Sequence, residues 1–267
     1  MLLSFILIKI LVSILAVAGL AIITEKYSPS FSGILSGFPL GSAITLLFYG
    51  LEVNADFAAE SSSYSFLSLI SCQIFIYVYY LSILKIDKFN PKFNPLICTF
   101  LATLAFFISS YLFEKIHLSL HMNLAAALIS IIIFSYLFRK FPEVKIKNRI
   151  KLTMNNILVR SAGTALIVIL ITSISQIVGA KWAGLFSGFP VIVLPLILII
   201  HISYKKEHVC AIIKNFPKGL GALIIYLMSV HSFYPLVGIY LGTLISFAFS
   251  AVYLVLILFF KARIDRN

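Results

Sequence analysis

The sequence contains the stretch Gly33-Ile34-Leu35-Ser36-Gly37-Phe38-Pro39 and, 151 residues later, the stretch Gly184-Leu185-Phe186-Ser187-Gly188-Phe189-Pro190. The two stretches share both glycines, the serine, the phenylalanine and the proline. At the same distance along the chain, here called the repeat offset, Lys9 corresponds to Arg160, and both basic residues stand near the start of an apolar segment. Because one offset relates all of these positions, we interpret the chain as an internal duplication.

The composition indicates a membrane protein. Of the 267 residues, 61% are hydrophobic and only 11% are charged. Apolar runs of about 20 residues recur along the whole chain, which is typical of transmembrane helices, whereas a β-barrel has alternating segments of about 10 residues. We therefore predict an all-α, polytopic integral membrane protein whose main partner is the lipid bilayer. The net charge of +12 lies in short loops between the apolar runs, so we expect no nucleic-acid partner.

The apolar runs divide the chain into about nine predicted spans. They cover roughly Leu3–Ile23, Gly33–Leu51, Tyr64–Leu84, Pro95–Phe113, Leu118–Phe138, Asn156–Ile177, Trp182–Ile202, Phe216–Phe233 and Leu236–Phe260. The long basic segment Arg139–Asn155 separates two halves. We predict a first four-helix repeat in residues 1–113, a connecting helix and basic cytoplasmic loop in 114–155, and a second four-helix repeat in 156–267.

Nine spans place successive loops alternately on two sides of the membrane. Nearly all lysines and arginines of the loops then fall on one side, and the acidic residues Glu52, Asp56, Glu60 and Glu114 fall on the other. The positive-inside rule makes the first side cytoplasmic, with the amino terminus outside and the carboxyl terminus inside. The halves are then inverted relative to each other, a common construction of secondary transporters. Short loops and compact size favour the plasma (inner) membrane of a bacterium.

The repeated stretch has two physical interpretations. Glycines four residues apart allow helices to pack closely in lipid. Alternatively, a helix that begins at Pro39 and ends at Leu51 is roughly 20 Å long, which is less than the hydrocarbon core of about 30 Å. Such a helix begins inside the membrane, and its N–H groups and positive dipole end attract an anion. This interpretation, with the two intramembrane cations, gives a set of candidate substrate-binding residues: Lys9, Ser36, Gly37, Phe38, Pro39, Arg160, Ser187, Gly188, Phe189 and Pro190.

Charged residues add further candidates. A cation within a span is costly and is usually functional, although Lys9 and Arg160 are also near enough to a span end to extend toward an interface. The residues Glu52, Asp56 and Glu60 are four apart, so on a continuous helix they share one face. That face is a candidate for binding a coupling proton or cation, or it is a solvated extension of the second helix.

The chain has no pattern typical of an enzyme. Glu114, His117 and His121 have helical spacing, but polar interface residues are the more economical interpretation, so we predict no metal site. The three cysteines fit neither a disulfide framework nor zinc spacing. There is no pair of nucleophile and base and no cofactor fingerprint. We expect no catalytic residues and no cofactor.

Each half resembles the small four-span GlpM-type inner-membrane proteins. Arg160 matches the basic residue that these proteins carry early in their first span, and Ala183–Pro190 matches the Ala-Gly-Leu-x-x-x-Phe-Pro stretch that opens their second span. The first half departs from this stretch, with Ser32 in place of the alanine and Ile34 in place of the leucine. The resemblance covers the two four-span units and implies that two such units are fused in inverted orientation. It implies no particular activity.

The function that we predict is secondary transport. The substrate is a small anionic or phosphate-bearing solute or lipid, bound between the Gly-Phe-Pro helix starts of the two repeats. The alternative is a non-transporting membrane scaffold or accessory subunit of an envelope or polysaccharide machine. An intramembrane enzyme is disfavoured because paired catalytic groups are missing. A homo-oligomer is compatible with either function.

Overall fold

The computed structural model describes residues 2–26, 34–86, 94–139, 154–203 and 206–264. Within these ranges the chain is helical and contains no strand, which confirms the predicted all-α class. The helices are α1 (Leu2–Lys26), α2 (Leu40–Glu52), α3 (Ala55–Ile86), α4 (Asn94–Glu114), α5 (Leu120–Arg139), α6 (Met154–Ser187), α7 (Val193–Ser203) and α8 (Lys206–Ile264). Gly33 of the repeated stretch and residues 140–153 of the basic segment lie outside the described residues.

Two of the helices are broken at a glycine. Gly179 in α6 has φ 79° and ψ 170°, and Gly238 in α8 has φ 79° and ψ 174°. This region of backbone conformation is essentially restricted to glycine, since a Cβ atom would be strained there. The breaks divide α6 into segments 154–178 and 180–187, and α8 into segments 206–237 and 239–264.

The helices have the length and apolarity of membrane spans. In the part of the chain that the structure describes, six apolar segments are long enough to cross a bilayer: Ile34–Glu52, Ala55–Ile86, Asn94–Glu114, Leu120–Arg139, Ile157–Ser175 and Lys206–Phe259. Ile6–Gly19 and Val193–Ile202 are shorter apolar helical segments. The last of the six has 54 residues and includes the break at Gly238, so it has the length of two crossings. Several long, apolar helices of this kind are expected in a multi-pass membrane protein.

The outer surface is apolar and the interior is partly polar. Large apolar side chains of α4, α5 and the second segment of α8 are exposed, as on a surface that faces lipid. The central helix is α3, which contacts α2, α4, α5, α6 and α8. Its buried face carries a row of small serines, of which Ser61, Ser65 and Ser68 are almost fully buried. Small side chains of this kind let helices approach closely in lipid.

The structure corrects the predicted beginnings of two spans. The segment before Tyr64 is not a loop, because α3 begins at Ala55 after Asn54 accepts a hydrogen bond from the Phe57 N–H group at 2.8 Å, which caps the helix. The helix that contains the eighth predicted span begins at Lys206, ten residues before Phe216, and Pro217 lies inside α8. Tertiary packing outweighs the local helix-breaking preference of this proline, since both Phe216 and Leu220 are buried.

Candidate functional site

The two copies of the repeated stretch form the same backbone break. In the first copy, the Leu40 N–H group donates to the Phe38 carbonyl at 2.8 Å, and the N–H group of Ala43 donates to the Pro39 carbonyl at 2.7 Å. In the second copy, the corresponding bonds join Val191 to Phe189 at 2.6 Å and Leu194 to Pro190 at 2.8 Å. α2 begins directly after Pro39, and α7 begins at Val193, three residues after Pro190. In both copies proline fixes its own φ and disfavours a helical residue before it.

The two breaks lie side by side around one cavity of about 40 Å³. A Cβ atom on Gly41 would lie 3.7 Å from the Val191 side chain, which shows how close the helix starts are. The lining includes seven of the ten predicted substrate-binding residues, namely Ser36, Gly37, Phe38, Pro39, Gly188, Phe189 and Pro190. The structure therefore brings together two motifs that are far apart in the sequence. The remaining three candidates, Lys9, Arg160 and Ser187, do not line this cavity.

Each break packs tightly against a long helix of the other half of the chain. A Cβ atom on Gly37 would lie 2.7 Å from the carbonyl carbon of Gly219 in α8. A Cβ atom on Gly188 would lie 2.6 Å from the Cβ atom of Ser68 in α3. Ser68 and Gly219 are themselves related by the repeat offset, so the two crossings are equivalent. These glycines serve close packing as well as the break itself.

Ser187 is a packing residue between three helices. Its hydroxyl group lies 2.5 Å from the Ser65 hydroxyl group in α3 and donates to the Gly184 carbonyl at 2.8 Å. Its backbone carbonyl accepts a hydrogen bond from the Ser42 hydroxyl group at 2.9 Å. Ser36, the equivalent of Ser187 in the first repeat, lines the cavity instead. The two serines therefore have different surroundings.

Sequence reasoning missed several residues that line the cavity. Ser42 lies in the first turn of α2, where backbone N–H groups lack partners within the helix. Because Ser42 follows Pro39 by three residues, its place in this first turn could have been predicted from the sequence. Cys72 and Phe216 come from α3 and α8, and nothing in their local sequence distinguishes them from other core residues.

Lys9 is buried in an ion pair. Its Nζ atom lies 2.6 Å from the Glu52 Oε1 atom and 2.6 Å from the Thr172 Oγ1 atom. The same Nζ atom lies 5.5 Å from the centre of the Phe48 ring, within the range of a cation–π interaction. Only 4% of the lysine side chain and 11% of the glutamate side chain are exposed. This cluster joins α1, α2 and α6.

The predicted carboxylate face of Glu52, Asp56 and Glu60 is wrong. Glu52 is the last residue of α2, and the chain turns at Val53 and Asn54 before α3 begins. Asp56 and Glu60 are exposed on the first turns of α3, whereas Glu52 faces inward and pairs with Lys9. The three carboxylates therefore lie on two helices, because Asn54 caps a new helix instead of continuing the old one.

Arg160 is fully buried and has no polar partner among the described residues. Its exposed fraction is 0%, and its Nε, Nη1 and Nη2 atoms make no hydrogen bond to any of them. Four residues later in α6, the hydroxyl group of Thr164 donates to the Val191 carbonyl at 3.2 Å. Val191 lines the cavity. Arg160 therefore lies about one helical turn from Thr164, which contacts this lining residue.

The described residues contain no cluster of three histidine, cysteine, aspartate or glutamate side chains arranged to hold a metal ion. Glu114 ends α4, His117 lies in the following turn and His121 belongs to α5, so the helical face that their spacing indicated does not form. Cys72, Cys98 and Cys210 are buried, and none of the three forms a disulfide with another described residue. No family model, no curated protein and no solved structure matches this chain.

Proposed function

We propose that this protein is a secondary transporter or permease for a small anionic or phosphate-bearing solute or lipid, with its substrate site between the two Gly-Phe-Pro breaks. The observation that carries the proposal is the single cavity lined by both copies of the motif. Irregular backbone at membrane depth is tolerated only where it is buried in protein or lines a cavity. Transporters use such discontinuous helices at the interface of their repeats.

The positions of the helices support a duplicated architecture of nine crossings. Shifted by the repeat offset, α3 (Ala55–Ile86) falls on residues 206–237, which are the first segment of α8. In the same way α1 falls on the first segment of α6, and α2 falls on residues 191–203, where α7 begins two residues later. The helix α5 has no counterpart and connects the two repeats. This architecture also agrees with the resemblance of each half to GlpM-type proteins.

Contacts between the two halves support an inverted arrangement. Lys9, early in α1, contacts Thr172, late in the first segment of α6. Ser42 at the start of α2 contacts Ser187, and Tyr49 near the end of α2 donates to the Ala183 carbonyl at 2.9 Å. Such contacts are expected if the equivalent helices run in opposite directions. The inversion agrees with the charge distribution of the loops, which places the amino terminus outside and the carboxyl terminus in the cytoplasm.

The preference for an anion follows from where α2 and α7 begin. They contain 13 and 11 residues, or roughly 20 and 17 Å, so neither crosses a hydrocarbon core of about 30 Å. Their amino-terminal ends point positive dipoles toward the region of the cavity. The cavity of about 40 Å³ holds only a few water molecules, so a phosphate-bearing substrate requires a wider conformation of the site. Rocking of one repeat against the other opens the site.

A scaffold without transport is the second candidate. The close glycine contacts at Gly37 and Gly188 favour it, because they satisfy the packing role of the motif without a substrate. In that case a partner protein co-purifies with the chain, and the cavity never opens.

The test is uptake into proteoliposomes that contain the purified protein. The probes are radiolabelled inorganic phosphate and a short-chain phosphate-bearing lipid, each over a concentration series. Ser36→Trp fills the cavity and is expected to abolish saturable uptake, whereas Ser119→Trp, on an exposed turn, is expected to retain it. Saturable uptake that is unchanged in Ser36→Trp contradicts the assigned site. Absence of saturable flux for both probes contradicts the proposed substrate class.

A further inference from the structure

The two equivalent intramembrane cations have opposite surroundings. Lys9 has a carboxylate, a hydroxyl group and an aromatic ring within reach, from Glu52, Thr172 and Phe48. Arg160 has none of these among the described residues, although it is fully buried. An arginine side chain stays charged under all ordinary conditions. A buried charge without a partner is strongly unfavourable, so its presence requires an explanation.

Comparison of the two repeats shows which residues stand in place of the partners of Lys9. Shifted by the repeat offset, Glu52 corresponds to Ser203 and Phe48 corresponds to Ile199. By the same offset, Thr172 corresponds to Ala21 in the first repeat. None of these three residues carries a negative charge or an aromatic ring. At these three positions, the second repeat therefore has neither the carboxylate nor the aromatic ring that Lys9 contacts in the first.

We infer that Arg160 is the ligand for the oxyanion of the substrate, and that Lys9 is not. This inference rests on the proposed transport function. It assigns the binding of the anionic group of the substrate to Arg160. The guanidinium group presents several N–H donors in a fork that matches two oxygens of a phosphate or carboxylate group. The hydroxyl group of the next residue, Ser161, is also buried without a partner among the described residues.

The position of Arg160 connects it to the central cavity. Thr164, one turn further along α6, donates to the carbonyl of the cavity-lining residue Val191. Four residues of helix correspond to about 6 Å, so the Arg160 backbone lies about that far from Thr164, toward the start of α6. In the proposed orientation that side is cytoplasmic. An oxyanion held at Arg160 is therefore released toward, or received from, the cytoplasm.

The inference predicts an unusual effect of Arg160→Gln. If the charge is present only to bind an anion, its removal raises the thermal unfolding temperature of the ligand-free protein, because an uncompensated buried charge is lost. A purely structural arginine gives the opposite result. The matched control is the double variant Lys9→Gln/Glu52→Gln, which replaces the other cation together with its partner.

The experiment measures thermal unfolding of the purified full-length protein with two probes. Inorganic phosphate is added in detergent to test a free oxyanion. Nanodiscs of phosphatidylcholine, with or without phosphatidic acid, test a lipid headgroup of the same chemistry. Stabilisation by at least one probe is expected in the wild type and in the Lys9→Gln/Glu52→Gln control. Binding of that probe to Arg160→Gln is expected to weaken by about tenfold or more, as for a lost charge-assisted hydrogen bond.

The outcomes separate this inference from the proposed transport. Anion binding that depends on Arg160 in a protein without transport activity supports the site and contradicts transport. Transport with unchanged anion binding in Arg160→Gln contradicts the site alone. Lack of stabilisation by either probe overturns the inference, and so does a ligand-free Arg160→Gln protein that is less stable than the wild type or does not fold. Arg160→Lys keeps the charge without the fork, and is expected to bind the anion with intermediate affinity.

Discussion

Replacing Gly219 by alanine tests the crossing between the first break and α8. A Cβ atom at this position would overlap the carbonyl oxygen of Ile34 and would lie 2.9 Å from the Cα atom of Gly37. Ordinary contacts begin at 3.4 Å, so the two backbones must move apart to admit the methyl group. Both opposing atoms belong to the backbone, and no side-chain rotation relieves the clash. We therefore place the packing cost near the upper end of the usual range, at about 3 kcal/mol.

Helix propensity favours alanine over glycine and therefore offsets part of the packing cost in the free energy of unfolding. Alanine is favoured over glycine in a helix by about 1 kcal/mol, so Gly219→Ala is expected to lower the free energy of unfolding by about 2 kcal/mol. The matched control is Gly19→Ala in α1, where a Cβ atom meets nothing within 4 Å and the propensity gain remains. The expected difference between the two variants is therefore about 3 kcal/mol, which is the packing cost alone.

The measurement is SDS-induced unfolding of each purified variant in mixed detergent micelles. An equal stability of Gly219→Ala and Gly19→Ala refutes the close crossing of α8 over the first break. The second crossing provides an independent check, because Gly188→Ala clashes with Ser68 in α3. Adding Ser68→Gly removes part of that clash and is expected to recover part of the lost stability.

Three further substitutions have expected outcomes in the same unfolding assay. Glu52→Gln leaves Lys9 buried without its counter-charge and is expected to cost about 3–5 kcal/mol, with a smaller loss when Lys9→Gln is added. Tyr49→Phe removes the donor to the Ala183 carbonyl, which stays buried, and is expected to cost about 1–3 kcal/mol. Gly238→Ala places a Cβ atom in a conformation with φ 79° and is expected to cost about 1–3 kcal/mol although the position is open.

The repeat made much of the architecture predictable. The two copies of Gly-x-x-x-Gly-Phe-Pro predicted two helix starts, and the structure places helix starts directly after Pro39 and shortly after Pro190. Proline and glycine act through the local backbone, so their effect is visible in the sequence. The meeting of both motifs at one cavity followed from the inferred inversion of the halves.

The missed features depend on residues that are distant in the sequence. Glu52 pairs with Lys9, which belongs to a different helix, and no local pattern indicates that contact. The start of α3 was missed because acidic and serine-rich composition indicates a loop, whereas here the serines pack against neighbouring helices. The predicted eighth span began at Phe216, beside Pro217, whereas α8 continues through this proline because its neighbours pack in the interior.

Cysteine labelling tests the proposal that two inverted repeats enclose one water-accessible site. Lys85 at the end of α3 and Leu236 near the end of the first segment of α8 are exposed and are equivalent under the repeat offset. With the three native cysteines replaced by serine, single cysteines at these two positions and at Ser36 are labelled with a membrane-impermeant thiol reagent in intact cells and in inside-out vesicles. We expect the Lys85 position to be labelled only from the cytoplasmic side, the Leu236 position only from outside, and the Ser36 position from at least one side. Labelling of the Lys85 and Leu236 positions from the same side contradicts the inversion, and a Ser36 position that is never labelled contradicts the site.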